Sequence, residues 1–192
     1  DDVAAWIRED DIHYPVTSVV SVENTHNFAG GTVWPLEALD GLARLCRDRG
    51  LALHMDGARV FNAQVASGVP VSRITRDVDM VSVCLSKGLG GPVGSLVLGS
   101  ASRIHAARRV RKILGGGMRQ AGVLAAAALI ALAEGPALMA HDHRRAAALA
   151  AHLAGLPGLS LDVDAVQTNI VFANTRGPAA EAEARLGERG IL

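Results

Sequence analysis

Apolar positions along this chain follow two rhythms, one of strands and one of helices. Val16 to Glu23 is β-branched and apolar, and predicts a strand. Pro35 then opens an element at the first helical position. Leu36, Leu39, Leu42 and Leu45 fall at near-helical spacing up to Gly50, with Arg47 and Arg49 in the last turn, so a helix is predicted there. Leu51 to Met55 predicts a short strand, Val60 to Ala66 a short helix, and Val69 to Asp79 a connector with one helical turn. Met80 to Leu85 predicts a buried strand and Ser95 to Leu98 another. A short helix is also expected over Asp2 to Glu9, ahead of the loop Asp10 to Pro15.

The second half is mostly helical. Ala101 to Leu114 predicts a basic helix, which Gly115-Gly116-Gly117 breaks. Met118 to Glu134 predicts an Ala-rich helix closed by Gly135-Pro136, and a further helix runs from Ala137 to about Ala154. Two strands, Leu159 to Val163 and Asn169 to Ala173, and a helix opened by Gly177-Pro178 follow. The alternation of strand and helix over the first part implies right-handed crossovers and an α/β domain with a mostly parallel sheet. The change of character near residue 136 predicts two units, 1–135 and the start of a smaller α+β domain over 136–192.

Composition narrows the classes. Of the 192 residues, 49% are hydrophobic but only 3% aromatic, so Ala, Val and Leu must fill the core. The formal net charge is zero, which argues against a nucleic-acid partner. The longest apolar run, Ala121 to Ala133, is short and Ala-rich for a membrane span, so a core or subunit-contact helix is expected and no membrane partner. Cys46 and Cys84 share no metal-ligand spacing. Buried free thiols in a reducing cytoplasm are expected. The chain begins at Asp1 and stops at Ile191-Leu192, and both ends are expected to be cuts from a longer protein.

The chemistry concentrates where strands stop. In parallel sheets ligands bind beyond the carboxyl ends of the strands. Three predicted strands end at Glu23-Asn24-Thr25-His26, at Asp56-Gly57-Ala58-Arg59 and at Ser86-Lys87, so His26, Asp56, Arg59 and Lys87 are expected on one rim. The chain has two lysines, Lys87 and Lys112, against seventeen arginines. An amine kept at such a position suits a group that must lose its proton, which Lys can do and Arg cannot. Lys, Asp, Arg and His together suit pyridoxal phosphate: a Schiff-base amine, a partner for the pyridine nitrogen, a carboxylate fork and a proton carrier. Each alone has a bland reading as a capping, surface or hydrogen-bonded structural residue, and spacing alone does not name the cofactor. No G-x-G-x-x-G follows the first strand and no Walker-type loop occurs, which disfavours a nucleotide-binding domain.

Four segments in this order carry a resemblance: Glu23-Asn24-Thr25-His26-Asn27, Leu53 to Asn62, Cys84 to Ser95, and Gly115-Gly116-Gly117-Met118-Arg119-Gln120. Together the chain resembles the low-specificity L-threonine aldolases, fold-type I pyridoxal phosphate enzymes. The resemblance implies that Lys87 is the Schiff-base lysine, that Asp56 pairs with the pyridine nitrogen, and that Arg59 binds the substrate carboxylate near the ring. It implies that His26 meets the substrate hydroxyl. It gives Arg119 a role at the cofactor phosphate, often across a subunit contact, and Lys112 a lesser one. Thr168-Asn169 is expected to be structural. The implied reaction is retro-aldol cleavage of L-threonine or L-allo-threonine to glycine and acetaldehyde, in a homo-oligomer, a dimer or a tetramer built from dimers. The family's main phosphate-binding loop and a ring-stacking histidine would precede Asp1, and a second carboxylate-binding arginine would follow Leu192. Rival readings are a β-eliminating lyase, a serine hydroxymethyltransferase-like enzyme, and an inactive truncated domain that only self-associates.

Overall fold

The computed structural model describes residues 2–191. Its centre is a sheet of four strands, β1 (Val19–Glu23), β2 (Ala52–Asp56), β3 (Met80–Cys84) and β4 (Ser95–Gly99), in that spatial order. β1, β2 and β3 are parallel, and β4 returns antiparallel to β3. The mostly parallel sheet is therefore as the alternation predicts, with one antiparallel edge. The β1–β2 and β2–β3 crossovers carry α1 (Leu36–Asp48), α2 (Val60–Ser67) and the single turn α3 (Val71–Ile74). β1 is shorter than the apolar run that predicts it: its register with β2 begins at Val19 opposite Ala52, the Ser18 carbonyl accepts from the Ala52 amide at 3.0 Å, and Val16 and Thr17 lie before the strand.

α1 buries Leu39, Leu42, Ala43 and Cys46, a stripe at helical spacing. These side chains meet Val22, Leu53, Met55, Val81 and Val83 from the sheet, and the result is one contiguous core. Two ion pairs fasten the crossovers outside it. Arg73 grips Asp40 with both guanidinium arms, at 3.0 and 2.6 Å. Asp79 accepts from the Leu53 amide at 2.8 Å and from Arg103 at 2.8 Å.

α4 (Ala101–Ile113) is capped by Ser100, whose hydroxyl accepts from the Arg103 amide. It buries no residue, and all five residues of β4 are exposed. The glycine break falls as the sequence predicts, with Gly115 at φ +81°.

α5 (Gly122–Ala154) corrects the expected pair of helices. It runs for 33 residues straight through Gly135-Pro136. Proline removes one internal hydrogen bond and normally ends or kinks a helix. Here packing on both sides offsets that loss. Ala128, Ala131, Gly135, Met139, Ala146 and Ala150 are buried at intervals of three, four and seven, and α5 packs against α2. Gly135 is small for a reason: a Cβ there would come within 2.7 Å of the Leu89 carbonyl oxygen. At about 1.5 Å per residue the helix is about 50 Å long.

That length also corrects the reason given against a membrane span. By length and composition α5 could cross a bilayer, with an 18-residue window of mean hydropathy 1.9. Its buried stripe fits equally a core helix in contact with the sheet domain.

Beyond α5, β5 (Leu159–Ser160) and β6 (Asn174–Thr175) form a two-residue antiparallel pair, and α6 (Ala179–Gly187) follows Pro178. The second strand sits later than the apolar run Asn169 to Ala173 suggests. That run is held instead by side-chain contacts to the sheet domain. At the other end, the expected helix over Asp2 to Glu9 is one 3-10 turn, Val3–Trp6, with no buried residue. A short helix without a packed face has little to hold it.

Candidate active site at the strand ends

The carboxyl ends of β1, β2 and β3 lie side by side. Glu23 is in register with Asp56, and Asp56 with Ser82. The Asn24 amide donates to the Asp56 carbonyl at 2.9 Å, which extends the ladder one step past the strand. The shared line of strand ends is as expected from the sequence, but the side chains expected on it do not all meet in one cavity.

Asp56 is held on two sides. Its Oδ1 accepts from the Ala58 amide at 2.9 Å and from the Ser82 hydroxyl at 3.4 Å. No hydrogen bond among the described residues engages Oδ2. Gly57 makes the close passage possible, since a Cβ there would lie 2.8 Å from Val81 Cγ2 and 3.0 Å from the Ser82 carbonyl oxygen. A fixed carboxylate with one oxygen left over is suited to a charged N–H partner.

His26 lines the same open cavity as Asp56, with Glu23, Trp6 and Trp34. The Ala29 amide donates to His26 Nδ1 at 3.1 Å, so the ring proton sits on Nε2. Nε2 faces Glu23 Oε2 at 3.7 Å. Glu23 in turn accepts from the Asn27 amide at 3.0 Å, and Trp34 Nε1 donates to the Glu23 carbonyl at 3.0 Å. The loop is thus pinned by its own side chains.

Lys87 stands on the loop after β3. The loop closes on itself: Gly91 donates to the Leu85 carbonyl at 2.7 Å, Gly90 to the Lys87 carbonyl at 2.9 Å, and Leu85 to the Gly94 carbonyl at 2.9 Å. The Lys87 side chain is exposed and lines a second cleft, against Leu138, His141, Asp142 and Arg145 of α5. The structure therefore brings His26 and Asp56 into one cavity and sets Lys87 on a different cleft. Arg59 precedes the first residue of α2, half-buried. Arg119 is exposed in the loop between α4 and α5. No hydrogen bond or ion pair among the described residues occupies the side chains of Arg59, Lys87 or Arg119.

Behind the rim lies a polar group that the sequence does not advertise. Asn62 of α2 is buried to 1% exposure. Its amide nitrogen donates to His143 Nε2 of α5 at 3.0 Å and to Asn169 Oδ1 at 3.2 Å. Next to Asn169, Thr168 donates to the Gly31 carbonyl at 2.7 Å, and Gln167 accepts from the Val33 amide at 2.8 Å. Three consecutive residues of the C-terminal part thus fasten both the His26 loop and α2. An asparagine within a short apolar helix was the available signal. Its two partners, far along the chain, were not legible.

The family model described as Beta-eliminating lyase matches residues 1–176. A probable low-specificity L-threonine aldolase 2 of Arabidopsis thaliana is 48% identical over 186 residues, which cover 95% of this chain and 52% of that protein. The low specificity L-threonine aldolase of Escherichia coli K12 is 46% identical over 188 residues, 98% of this chain and 54% of that protein. The chain therefore spans about half the length of the curated relatives it matches. Among solved structures, an aromatic amino acid β-eliminating lyase/threonine aldolase from Exiguobacterium superposes with a TM-score of 0.78 at 25% identity, over 89% of this chain and 48% of that one. An L-allo-threonine aldolase from Listeria monocytogenes superposes with a TM-score of 0.79 at 23% identity, over 94% of this chain and 50% of that one, and speaks for the fold alone. The chain belongs to the beta-eliminating lyase family.

Proposed function

We propose that the protein of which this chain is part is a pyridoxal phosphate-dependent aldehyde-lyase. It would cleave L-threonine, L-allo-threonine and related β-hydroxy-α-amino acids to glycine and an aldehyde. One observation carries the reading. The parallel strand ends hold a fixed Asp56 carboxylate beside the strand that leads to an unengaged Lys87 amine, in a chain nearly half identical to threonine aldolases.

The residues present fit the cofactor. Asp56 keeps one carboxylate oxygen uncommitted, and Lys87 keeps its amine uncommitted. The bound cofactor would supply an electron sink for the carbanion left at Cα when the Cα–Cβ bond breaks. Lys87 would hold the cofactor carbonyl carbon covalently before substrate arrives. Asp56 would keep the proton on the pyridine nitrogen. Arg59 would grip the substrate carboxylate with its planar fork. His26, with its proton on Nε2, would orient the β-hydroxyl, and Glu23 beside it would receive the hydroxyl proton directly or through water. Arg119 would meet the cofactor phosphate.

The substrate partner is a small amino acid, and the assembly is a homo-oligomer, a dimer or a tetramer. Leu96, Val97, Leu98, Val110, Ile113 and Leu114 support the second point, because they leave a broad apolar surface on β4 and α4 open to solvent. In this reading residues 1–135 carry the cofactor site and 136–192 begin the smaller domain. Like its two free thiols, the chemistry suits a cytoplasmic protein.

The test uses the full-length protein with pyridoxal phosphate and L-threonine. Equal amounts of glycine and acetaldehyde are expected. Release of ammonia and a keto acid without aldehyde would instead support β-elimination, the second reading, which the family's own description favours.

A further inference from the structure

The loop that carries Lys87 does not rest on the sheet alone. Its next residue, Gly88, lies against α2 and α5 together. A Cβ on Gly88 would come within 3.0 Å of Asn62 Oδ1 and 3.1 Å of Met139 Cε. One residue further, Leu89 lies against Gly135 at the distance that excludes any side chain there. The backbone after the lysine is thus clamped between Asn62 and two turns of α5.

Asn62 is the fixed point of that clamp. Its amide nitrogen spends both hydrogens, one on His143 and one on Asn169, drawn from 81 and 107 residues away. The Asn62 amide is placed with its nitrogen toward His143 Nε2 and Asn169 Oδ1. Asn62 Oδ1 is then directed at Gly88, buried and without a hydrogen-bond partner among the described residues. A buried acceptor left unpaired costs stability. Such a group persists where its surroundings fix it, as His143 and Asn169 do here.

We propose that Asn62, His143 and Asn169 form a positioning cluster for the lysine loop. His143 and Asn169 hold the Asn62 side chain, and Asn62 sets the backbone at Gly88 and so the direction of the Lys87 amine. The cluster touches neither substrate nor reacting atoms. It acts through Lys87, and the inference rests on the function proposed above. It also gives Asn169 a job in the site, through the same short segment that anchors the His26 loop at Gly31 and Val33.

The test compares full-length wild type with Asn62→Ala, His143→Leu and His143→Gln. Three quantities are read: the rate of covalent labelling of Lys87 by pyridoxal phosphate and borohydride, amide hydrogen exchange at Gly90 and Gly91, and the split of kcat and KM for L-threonine. In Asn62→Ala and His143→Leu, labelling is expected to slow about tenfold, the scale of one lost buried hydrogen bond. Exchange at Gly90 and Gly91 should rise by a similar factor, and kcat should fall with KM within about twofold, on the same hydrogen-bond scale. Gln at 143 keeps an acceptor for Asn62 and should restore all three. If Asn62→Ala does not fold, Asn169→Ala, which removes a single acceptor, takes its place. Labelling and exchange unchanged in both truncations would overturn the proposal. So would equal impairment by Gln and Leu, or faster exchange throughout the sheet. A wild type that takes no label at Lys87 would overturn the cofactor reading, and the local exchange at Gly90 and Gly91 would still decide the cluster.

Discussion

Thr168 and Gly31 meet across 137 residues of chain: the threonine hydroxyl donates to the glycine carbonyl at 2.7 Å, and Thr168 is buried to 1% exposure. Gly31 has φ +74°, and a Cβ there would collide with that hydroxyl and sit 3.2 Å from Ile170. The contact fixes the loop that presents His26. Thr168→Val keeps the shape and removes the donor. It should cost about 1–3 kcal/mol, the penalty for a buried carbonyl left unpaired. Urea denaturation of the full-length protein measures this, and an unchanged midpoint would contradict it.

Gly135→Ala sets two effects against each other. Alanine gains about 1 kcal/mol of helix propensity over glycine. Its Cβ would lie 2.7 Å from the Leu89 carbonyl oxygen and 2.9 Å from Leu89 Cα, both backbone atoms that cannot turn aside. Overpacking of this kind costs about 1–3 kcal/mol, so net destabilisation is expected. A thermal midpoint raised by the substitution would show that the α5–loop contact is looser than described.

His143 predicts an acid limb in stability. Burial pushes its pKa below 6.5, and the nearby Asp142 carboxylate only partly opposes the shift. Its Nε2 must also stay unprotonated to accept from Asn62. The unfolded chain therefore takes up this proton at higher pH than the folded one. The stability from a neutral His143 is intact above about pH 6.5 and falls as pH drops from there toward the lowered folded value. His143→Gln should flatten that segment of the stability–pH curve. A persistent slope would assign it to other groups.

Asp56→Asn keeps the size of the side chain and removes its charge. Turnover of threonine by the full-length protein should fall by about a hundredfold or more, in line with the loss of one preorganised electrostatic partner. Labelling of Lys87 by the cofactor should change far less. Equal loss of both would mean that Asp56 holds the cofactor in place rather than tuning it.

Lys87→Arg retains the positive charge but offers no amine that forms a Schiff base. Mass mapping after borohydride should show no label on the variant and none on Lys112, the chain's other lysine. Label on Lys112 at the wild-type rate would point to nonspecific capture.

The strand ends were legible because each is a local event. A run such as Met80 to Leu85 stops at polar residues and a glycine, and strands that lie side by side then bring such ends to one edge, while the pairing of Asp56 with Ser82 is visible only in the structure. The glycine break at 115–117 was local too. What failed was decided at long range. Gly135-Pro136 reads as a helix end from its own residues, and only the approach of Leu89 explains why the helix continues. The run Asn169 to Ala173 reads as a strand, yet Thr168 and Asn169 spend their polar atoms on Gly31 and Asn62. Nor does periodicity separate Lys87 from the cavity shared by His26 and Asp56, because the turn of the loop after β3 depends on Gly88 meeting α2 and α5.

The unbroken course of α5 also constrains how relatives of this chain can change in length. Gly135, Met139 and His143 face α2 and the lysine loop from one side of the same rod. Inserting a single residue between them would swing everything downstream by about 100° around the axis. His143 would then leave Asn62 while Leu89 kept its seat on Gly135. Insertions and deletions are therefore expected to accumulate in the turns after Ala154 and around Asp162 to Val166, and to be purged between 135 and 143.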